Sequence, residues 1–200
     1  LDAEHGVGWR LRTGMEFPLM GIAGAIRNDS LIFRLGATIA RHCKELGVHI
    51  NFAPVADINN NAQNPVIGMR SFGENRNNVW HKTEMYIRGS LSENVLPVAK
   101  HFPGHGDTDT DSHYALPLIS QDRTRLDSLE LYPFKKLIEA GLPAIMVAHL
   151  NVKALDSSGM PASLSAAVID RYLKDSLKFN GLCFTDAMNM KGVTRGRERG

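Results

Sequence analysis

The sequence predicts an α/β fold and, more specifically, a (β/α)8 TIM-type barrel. Short apolar runs alternate along the chain with amphipathic stretches of helical period, which favours a parallel sheet covered by helices. Each apolar run ends in polar or ionisable residues, and parallel barrels collect their functional groups at the C-terminal ends of their strands. A doubly wound open sheet would instead concentrate such residues at one switch point.

The first predicted unit is a helix followed by a strand. Apolar residues recur at helical spacing over Leu31–Leu46, with Asp29 or Ser30 as the N-cap and Gly47 as the C-terminal stop. The apolar run Ile50–Asp57 then predicts a strand with a polar end. A helix and a strand of these lengths form the repeating unit that a barrel requires.

The same alternation continues along the rest of the chain. A helix at Asn78–Leu91 leads into a strand at Val95–Phe102. Pro133 suits the first turn of a helix that runs to Ala140 and is closed by Gly141. The remaining predicted elements are a strand at Ala144–His149, a helix at Ser165–Ser176 and a strand at Leu182–Asp186.

Polar residues stand at the ends of the predicted strands, and they are Asp2 and Glu4, Asp57, Lys100 and His101, His149, and Asp186. The sequence contains the tail of one strand and four complete strands, whereas a barrel needs eight strands and roughly 250 residues. We therefore expect a single partial barrel domain over residues 1–200, with about strands 2 to 6 present and truncation at both ends.

The composition excludes several classes of protein. With 43% apolar and 22% charged residues, the chain can bury a core. The formal net charge is +2 and the basic residues are scattered, so neither nucleic acid nor a membrane surface is expected as a partner. No apolar stretch approaches the roughly 20 residues of a transmembrane helix. Cys43 and Cys183 are predicted to be buried free thiols rather than a disulfide or a metal-binding pair.

The densest group of polar residues is the run Lys100–His113, which reads KHFPGHGDTDTDSH. Pro103, Gly104 and Gly106 predict a loop that leaves a strand. A calcium loop would explain the alternating Asp residues, but Leu118 stands where such a loop needs Glu. A zinc site is a second interpretation, although no regular i, i+4 pairing of ligands is present. A solvated loop without a role is a third.

The fourth interpretation is a general acid/base formed by Asp111 and His113. In an extended backbone these two side chains leave the same side of the chain. The carboxylate can then accept a hydrogen bond from one imidazole nitrogen. The other nitrogen is free to give a proton to a leaving oxygen and later to take one from water.

Asp186 ends the run FTD and is the second candidate for chemistry. A carboxylate at the end of a buried strand is costly unless it is hydrogen-bonded or used. It could cap the next helix. Alternatively, it could attack an anomeric carbon as a nucleophile and form a glycosyl-enzyme. The residues alone leave both roles open.

Several motifs, taken together, resemble those of glycoside hydrolase family 3, and they are LDAEHG, NFAPVADI, RSFGE, KHFPGHGDTDTDSH and FTDAMNM. Their order and spacing are most similar to bacterial β-N-acetylhexosaminidases of the NagZ type. The resemblance covers the chain from Leu1 to about Val193. The DSH ending is the most specific part, because β-glucosidases of the family lack this His and use a distant Glu as the acid/base.

The resemblance implies a role for individual residues. Asp186 matches the nucleophile, His113 the acid/base and Asp111 its partner. The residues that match those holding sugar hydroxyls in the −1 subsite are Asp2, Arg10, Arg70, Lys100 and His101. For the two arginines taken alone, a surface ion pair is the alternative.

The activity implied by the resemblance is the retaining, exo-acting removal of terminal β-linked N-acetylglucosamine from a carbohydrate substrate. No metal and no organic cofactor is expected. Phosphate in place of water would make the same site a phosphorylase, and a β-glucosidase of the same family is a further alternative. A catalytically incomplete sugar-binding fragment also remains an alternative, because strands of the predicted barrel are missing.

Overall fold

The computed structural model describes residues 1–111, 115–190 and 193, and it shows parallel strands with helices packed outside them. The helices in this part of the chain are α1 (Met20–Gly24), α2 (Asp29–Glu45), α3 (Arg76–Ser92), α4 (Arg123–Ser128), α5 (Tyr132–Glu139) and α6 (Ala167–Ser176), the last a π-helix. The strands are β1 (Ile50–Asn51), β2 (Leu96–Pro97), β3 (Ala99–Phe102), β4 (Leu118–Ile119), β5 (Ala144–Val147), β6 (Asn151–Val152) and β7 (Leu182–Thr185). Short 3-10 helices span Val7–Trp9, Gly68–Arg70 and Ala162–Leu164.

Every strand pair in the described residues is parallel. β3, β5 and β7 form a sheet in that order, β1 pairs with β2, and β4 pairs with β6. A bridge between Val55 and Lys100 links the chain after β1 to β3. Helices separate the main strands along the chain, as the right-handed crossovers of a parallel barrel require.

The predicted strands are shorter and more interrupted than the apolar runs suggested. The run Ile50–Asp57 contains only β1 and the isolated bridge, and the run Val95–Phe102 is divided into β2 and β3. Pro54 and Pro97 lie in these runs, and proline has no N–H to donate to a neighbouring strand. The hydrogen-bond ladder therefore breaks near each proline.

The N-cap of α2 is Asn28, which precedes both predicted caps. The side chain of Asn28 accepts a hydrogen bond from the backbone N–H of Ser30 at 3.1 Å, whereas Asp29 is already helical. The expectation of Asp29 or Ser30 as N-cap was wrong, because Asn is an equally good cap and the extended backbone falls at Asn28. The helix packs tightly on α3, since a Cβ on Gly36 would lie 2.3 Å from the carbonyl oxygen of Tyr86.

The core surrounds β3 and the central strand β5, and all four residues of each strand are buried. β7 differs, because it pairs with β5 on one side and with no other described strand on the opposite side. Cys43 is buried as predicted, but Cys183 on β7 is exposed, and the prediction for it was wrong for this reason. Among the described residues, no helix is long and apolar enough to span a membrane.

Candidate active site

A cavity of about 190 Å³ lies beside β3, β5 and the end of β7. The residues that line it are Asp2, Glu4, Arg10, Val66, Arg70, Lys100, His101, His105, Met146, Asp186, Ala187 and Met190. The proposed −1 subsite residues and Asp186 therefore share one cavity, although they come from distant parts of the sequence. In the part of the chain that the structure describes, no group of three or more His, Cys, Asp or Glu side chains is arranged to hold a metal ion.

Glu4 is the centre of a buried charge network on one side of this cavity. Arg70 donates from Nε and Nη2 to the two carboxylate oxygens of Glu4 at 2.9 and 2.6 Å. Lys100 Nζ lies 2.7 Å from Glu4 Oε1 and 2.8 Å from Asp2 Oδ1. Burial favours a higher pKa for Glu4, but Arg70 and Lys100 outweigh it and lower the pKa to about 2. The Glu4 carboxylate is therefore ionised, and its contacts link four side chains, Glu4, Arg70, Lys100 and Asp2, which we term the charged wall.

The surroundings of Arg70 exclude the alternative of a surface ion pair for this residue. Its partner Glu4 is only 2% exposed, so their pair is not a solvated surface ion pair. Arg10 is different, since its side chain is 42% exposed and its Nη2 lies 3.8 Å from Asp2 Oδ2. Its guanidinium also lies 4.1 Å from the ring centroid of Trp9. Arg10 therefore borders the cavity without being held as firmly as the charged wall.

Asp57 lies behind the cavity and holds His101. Its carboxylate accepts hydrogen bonds from His101 Nδ1 at 2.6 Å, from the His101 backbone N–H at 3.1 Å and from the His105 backbone N–H at 2.7 Å. Burial disfavours ionisation of Asp57, yet the contacts with His101 and His105 lower its pKa overall. Because a carboxylate only accepts, Nδ1 of His101 carries a proton and donates it to this hydrogen bond, while Nε2 lies 3.4 Å from Arg70 Nη2.

The segment after β3 forms the loop that its glycines predicted. Gly104 has φ +128°, a backbone conformation that favours glycine. A Cβ on Gly106 would lie 1.7 Å from the carbonyl oxygen of Ile58, so only glycine fits there. Asn64 Nδ2 donates to the carbonyl oxygens of His105 at 2.8 Å and Gly106 at 3.0 Å. The start of the loop is therefore fastened to the segment that follows β1.

His105 contributes a neutral imidazole to the cavity. It is 1% exposed, and its Nδ1 lies 2.7 Å from Thr108 Oγ1. Burial and the neighbouring His101 lower its pKa to about 4. The ring is therefore uncharged at neutral pH and makes no ionic contact with a bound molecule.

Asp186 stands immediately after β7 on the other side of the cavity. Its backbone N–H donates to the carbonyl oxygen of Val147 at 3.0 Å, which continues the pairing of β7 with β5. Its Oδ1 accepts from the backbone N–H of Ala187 at 2.7 Å. Residues 188–189 form a turn and residues 187–190 include no helical residue, so the described structure does not show Asp186 as the cap of a helix.

The predicted acid/base pair is only partly described. Asp111 is described but is not among the residues that line the cavity, and its carbonyl oxygen accepts from the backbone N–H of Ala115 at 3.2 Å. His113 lies outside the described residues. The pairing of Asp111 with His113 therefore stays a prediction.

Sequence reasoning did not assign the roles of Glu4, Asp57 and His105. The sequence does indicate that Glu4 and Asp57 are of interest, because both are polar residues at the ends of predicted strands. That signal does not show which strand-end carboxylates face the cavity and which support a neighbour. His105 lies within the polar run Lys100–His113, and nothing in its spacing distinguishes it from the other polar residues there.

The fold and cavity define a class of protein, namely a TIM-type barrel with a cavity of carboxylates and cations beside its strand ends. The family model described as "Glycosyl hydrolase family 3 N terminal domain" matches residues 1–198, and the chain belongs to this family. The family assignment and the parallel architecture confirm the predicted fold class.

Two curated relatives are β-hexosaminidases. "Beta-hexosaminidase A" of Pseudoalteromonas piscicida is 36% identical over 179 residues, which cover 84% of this chain and 30% of that protein. "Beta-hexosaminidase" of Actinobacillus pleuropneumoniae serotype 5b is 34% identical over 200 residues, covering 96% of this chain and 57% of that protein. The chain thus spans well under two thirds of the length of either relative.

Two solved structures also match nearly the whole of this chain. A glycoside hydrolase family 3 β-N-acetylglucosaminidase from Paenibacillus sp. str. FPU-7 has a TM-score of 0.91 and 38% identity, covering 98% of this chain and 38% of that chain. A β-glucoside phosphorylase, BglX, bound to 2FGlc also has a TM-score of 0.91, with 26% identity over 97% of this chain and 37% of that chain.

Proposed function

We propose that the protein containing this chain is a retaining, exo-acting glycoside hydrolase that releases terminal β-linked N-acetylglucosamine. The observation that carries this proposal is the cavity in which Asp186 shares one small space with the charged wall and His101. The names of the β-hexosaminidase and β-N-acetylglucosaminidase relatives support the choice of sugar. The substrates we propose are fragments of the peptidoglycan or chitin type.

The size and charge of the cavity suit one terminal sugar. Its volume of about 190 Å³ is below the roughly 300–1,000 Å³ of typical ligand pockets, which fits a single ring and therefore exo action. Asp2 can accept hydrogen bonds from hydroxyl groups, and Lys100 and Arg70 can donate to them. Because these groups are already paired, they need little reorganisation when a sugar binds.

The proposed reaction has two displacement steps. In the first, Asp186 attacks C1 of the sugar, the glycosidic C–O bond breaks, and His113 gives its proton to the departing oxygen. In the second, His113 takes a proton from water, the oxygen of that water attacks C1, and the bond to Asp186 breaks. Two inversions at C1 leave the β-configuration unchanged. Asp111 would hold the His113 ring in the orientation that both steps need.

A second candidate function is phosphorolysis of a β-glycoside at the same site. The observation that favours it is the structural similarity to the β-glucoside phosphorylase. Phosphate would then replace water in the second step and release a sugar 1-phosphate. The charged wall does not discriminate between these acceptors, because it contacts the sugar rather than the acceptor in either scheme.

The test is the release of nitrophenol from an aryl N-acetyl-β-glucosaminide by the protein in its natural length. We expect turnover of this substrate, little turnover of the matching aryl β-glucoside, and no dependence on added phosphate. Asp186→Ala should be inactive. His113→Ala should recover with an activated leaving group or with added azide.

The controls separate this proposal from its alternatives. Glu93→Gln, which alters an exposed ion pair with Arg41, should be as active as the wild type. Turnover that depends on phosphate would favour the phosphorylase. Turnover abolished by a chelator would favour a metal-dependent hydrolase. Sugar binding by a well-folded protein without any turnover would favour a binding fragment.

A further inference from the structure

His149 is a buried histidine that the proposed mechanism does not use. It follows β5 and is fully buried. Its Nδ1 lies 2.6 Å from Ser163 Oγ, and its Nε2 lies 3.0 Å from the carbonyl oxygen of Ala187. Because a carbonyl oxygen only accepts, the proton of the neutral ring is on Nε2. The hydroxyl of Ser163 then donates to Nδ1.

The bond from His149 reaches the segment that carries Asp186. Ala187 directly follows Asp186, and its backbone N–H donates to Asp186 Oδ1 at 2.7 Å. On the preceding side, the Asp186 backbone N–H donates to Val147 at the end of β5. The β5 end therefore holds Asp186 on both sides, through the Val147 carbonyl before it and the His149 ring after it.

The residues next to Asp186 are only partly packed against the core. β7 is largely exposed, and Met188 is 43% exposed. Among the described residues, the side chain of Met190 is buried, and the hydrogen bond from His149 joins the core to the Ala187 carbonyl group directly after Asp186. The Ser163 side of the ring is firm, since the Ser163 backbone N–H donates to the carbonyl oxygen of Ala148 at 3.2 Å.

We propose that His149 is a positioning residue for Asp186, acting through the carbonyl group of Ala187, with Ser163 fixing its tautomer. The proposal rests on the proposed role of Asp186 as the nucleophile. A nucleophile displaced by about 1 Å can cost about 10²-fold in rate. Loss of the Nε2 donor should therefore lower the rate of sugar transfer to Asp186, while the charged wall continues to bind the sugar.

The test compares two amides at position 149. The side-chain amide of Gln reaches the place of Nε2, whereas that of Asn reaches only the place of Nδ1. We expect His149→Asn to lower kcat for aryl N-acetyl-β-glucosaminides by about 10- to 100-fold with little change in KM. His149→Gln should recover most of the loss, and Ser163→Ala should show a smaller loss.

The leaving group distinguishes positioning of Asp186 from acid catalysis. In His149→Asn the loss should be equally large for nitrophenyl and dinitrophenyl substrates, because attack by Asp186 is impaired for both. In His113→Ala the loss should shrink for the dinitrophenyl substrate. His42→Asn on α2 and Ser165→Ala, whose hydroxyl contacts Asp156, serve as matched controls for folding.

Two kinetic outcomes would overturn the proposal. One is a wild-type rate in His149→Asn, whatever the change in Tm. The other is an equal loss in the Asn and Gln variants, which would mean that the imidazole only fills space. If the wild type itself has no turnover, the proposed function fails, and crystal structures of the wild type and His149→Asn then decide. An unmoved Asp186 carboxylate overturns the positioning role, and a displaced one supports it.

Discussion

The two sides of the cavity are held in place by different kinds of interaction. The charged wall is fixed by short contacts around the buried carboxylate of Glu4, which is bonded to both Arg70 and Lys100. The side that carries Asp186 is fixed by backbone hydrogen bonds at the end of an exposed strand and by one imidazole.

Because of this difference, substitutions on the two sides of the cavity should affect different properties of the protein, its stability on one side and its catalytic rate on the other. Removing one partner from a buried ion pair leaves an uncompensated charge, so changes in the charged wall should affect folding and sugar binding. Within the part of the chain that the structure describes, the Asp186 side buries no such charge network. Replacing Asp186 should therefore affect the chemical step and leave the free energy of unfolding nearly unchanged.

The largest expected effect is that of Asp186→Ala. Removing the nucleophile should lower kcat by on the order of 10⁴-fold or more. The Tm should change little, because Asp186 makes only local backbone contacts in the described structure. Steady-state kinetics and thermal unfolding measure the two quantities. A large fall in Tm, with most of the activity retained, would contradict the view that the Asp186 side serves the chemical step rather than stability.

The next effect is that of Glu4→Gln on stability. The pKa of Glu4 is about 2 in the folded protein against an ordinary 4.5. This difference corresponds to about 3 kcal/mol of stability near pH 7. Urea unfolding followed by tryptophan fluorescence measures it. Glu93→Gln, at an exposed pair with Arg41, should leave the midpoint of urea unfolding nearly unchanged.

The pH dependence of the same stabilisation follows from the sign of the shift. Because the folded pKa is depressed, the unfolded state binds more protons as the pH falls below 4.5. The contribution of Glu4 is therefore complete above about pH 5 and is lost as the pH falls toward 2. Glu4→Gln should flatten this part of the stability curve. An unchanged acid limb would mean that Glu4 is not the group responsible.

A smaller effect is expected for Asp57→Asn. The Asp57 carboxylate accepts three hydrogen bonds in a fully buried position, and its loss should cost about 2 kcal/mol of stability. His101 would also lose the group that fixes its tautomer, so KM should rise more than kcat falls. Denaturant unfolding and kinetics on the aryl substrate test both effects. An unchanged KM would show that His101 does not contact the sugar.

The smallest effect is expected for Arg10→Ala. Arg10 and Asp2 are both partly exposed, and their charged atoms are 3.8 Å apart. Such pairs contribute about 0–1 kcal/mol. We therefore expect less than about a 5-fold change in kcat/KM and a nearly constant Tm. A loss as large as that of the charged-wall variants would show that Arg10 closes onto the substrate.

Much of the fold and part of the site could be predicted from the sequence. The apolar runs predict the strands, and the polar residues that end these runs predict the site. Apolar runs gave the parallel strands, and the polar residues that end them gave Asp2, Lys100, His101 and Asp186, which do line one cavity. Pro133 and Gly141 also lie at the two ends of α5 as expected.

The remaining features depend on neighbours in space, which a linear pattern does not contain. Asn28, Asp29 and Ser30 are all competent caps, and only the backbone angles choose among them. Cys183 is exposed because β7 pairs with only one described strand, β5, and the apolar run that contains Cys183 does not reveal this. His149 also ends a strand, but its hydrogen bond to Ala187 arises only when β5 and β7 pair.

The most direct test of the central claim is to identify the covalent intermediate and the configuration of the product. A fluorinated N-acetylglucosaminyl fluoride should label the protein, and mass spectrometry of its peptides should place the label on Asp186. Proton NMR of the reaction should show the β-anomer of N-acetylglucosamine first. An α-anomer as the first product, or a label on any other residue, would contradict the proposed two-step mechanism.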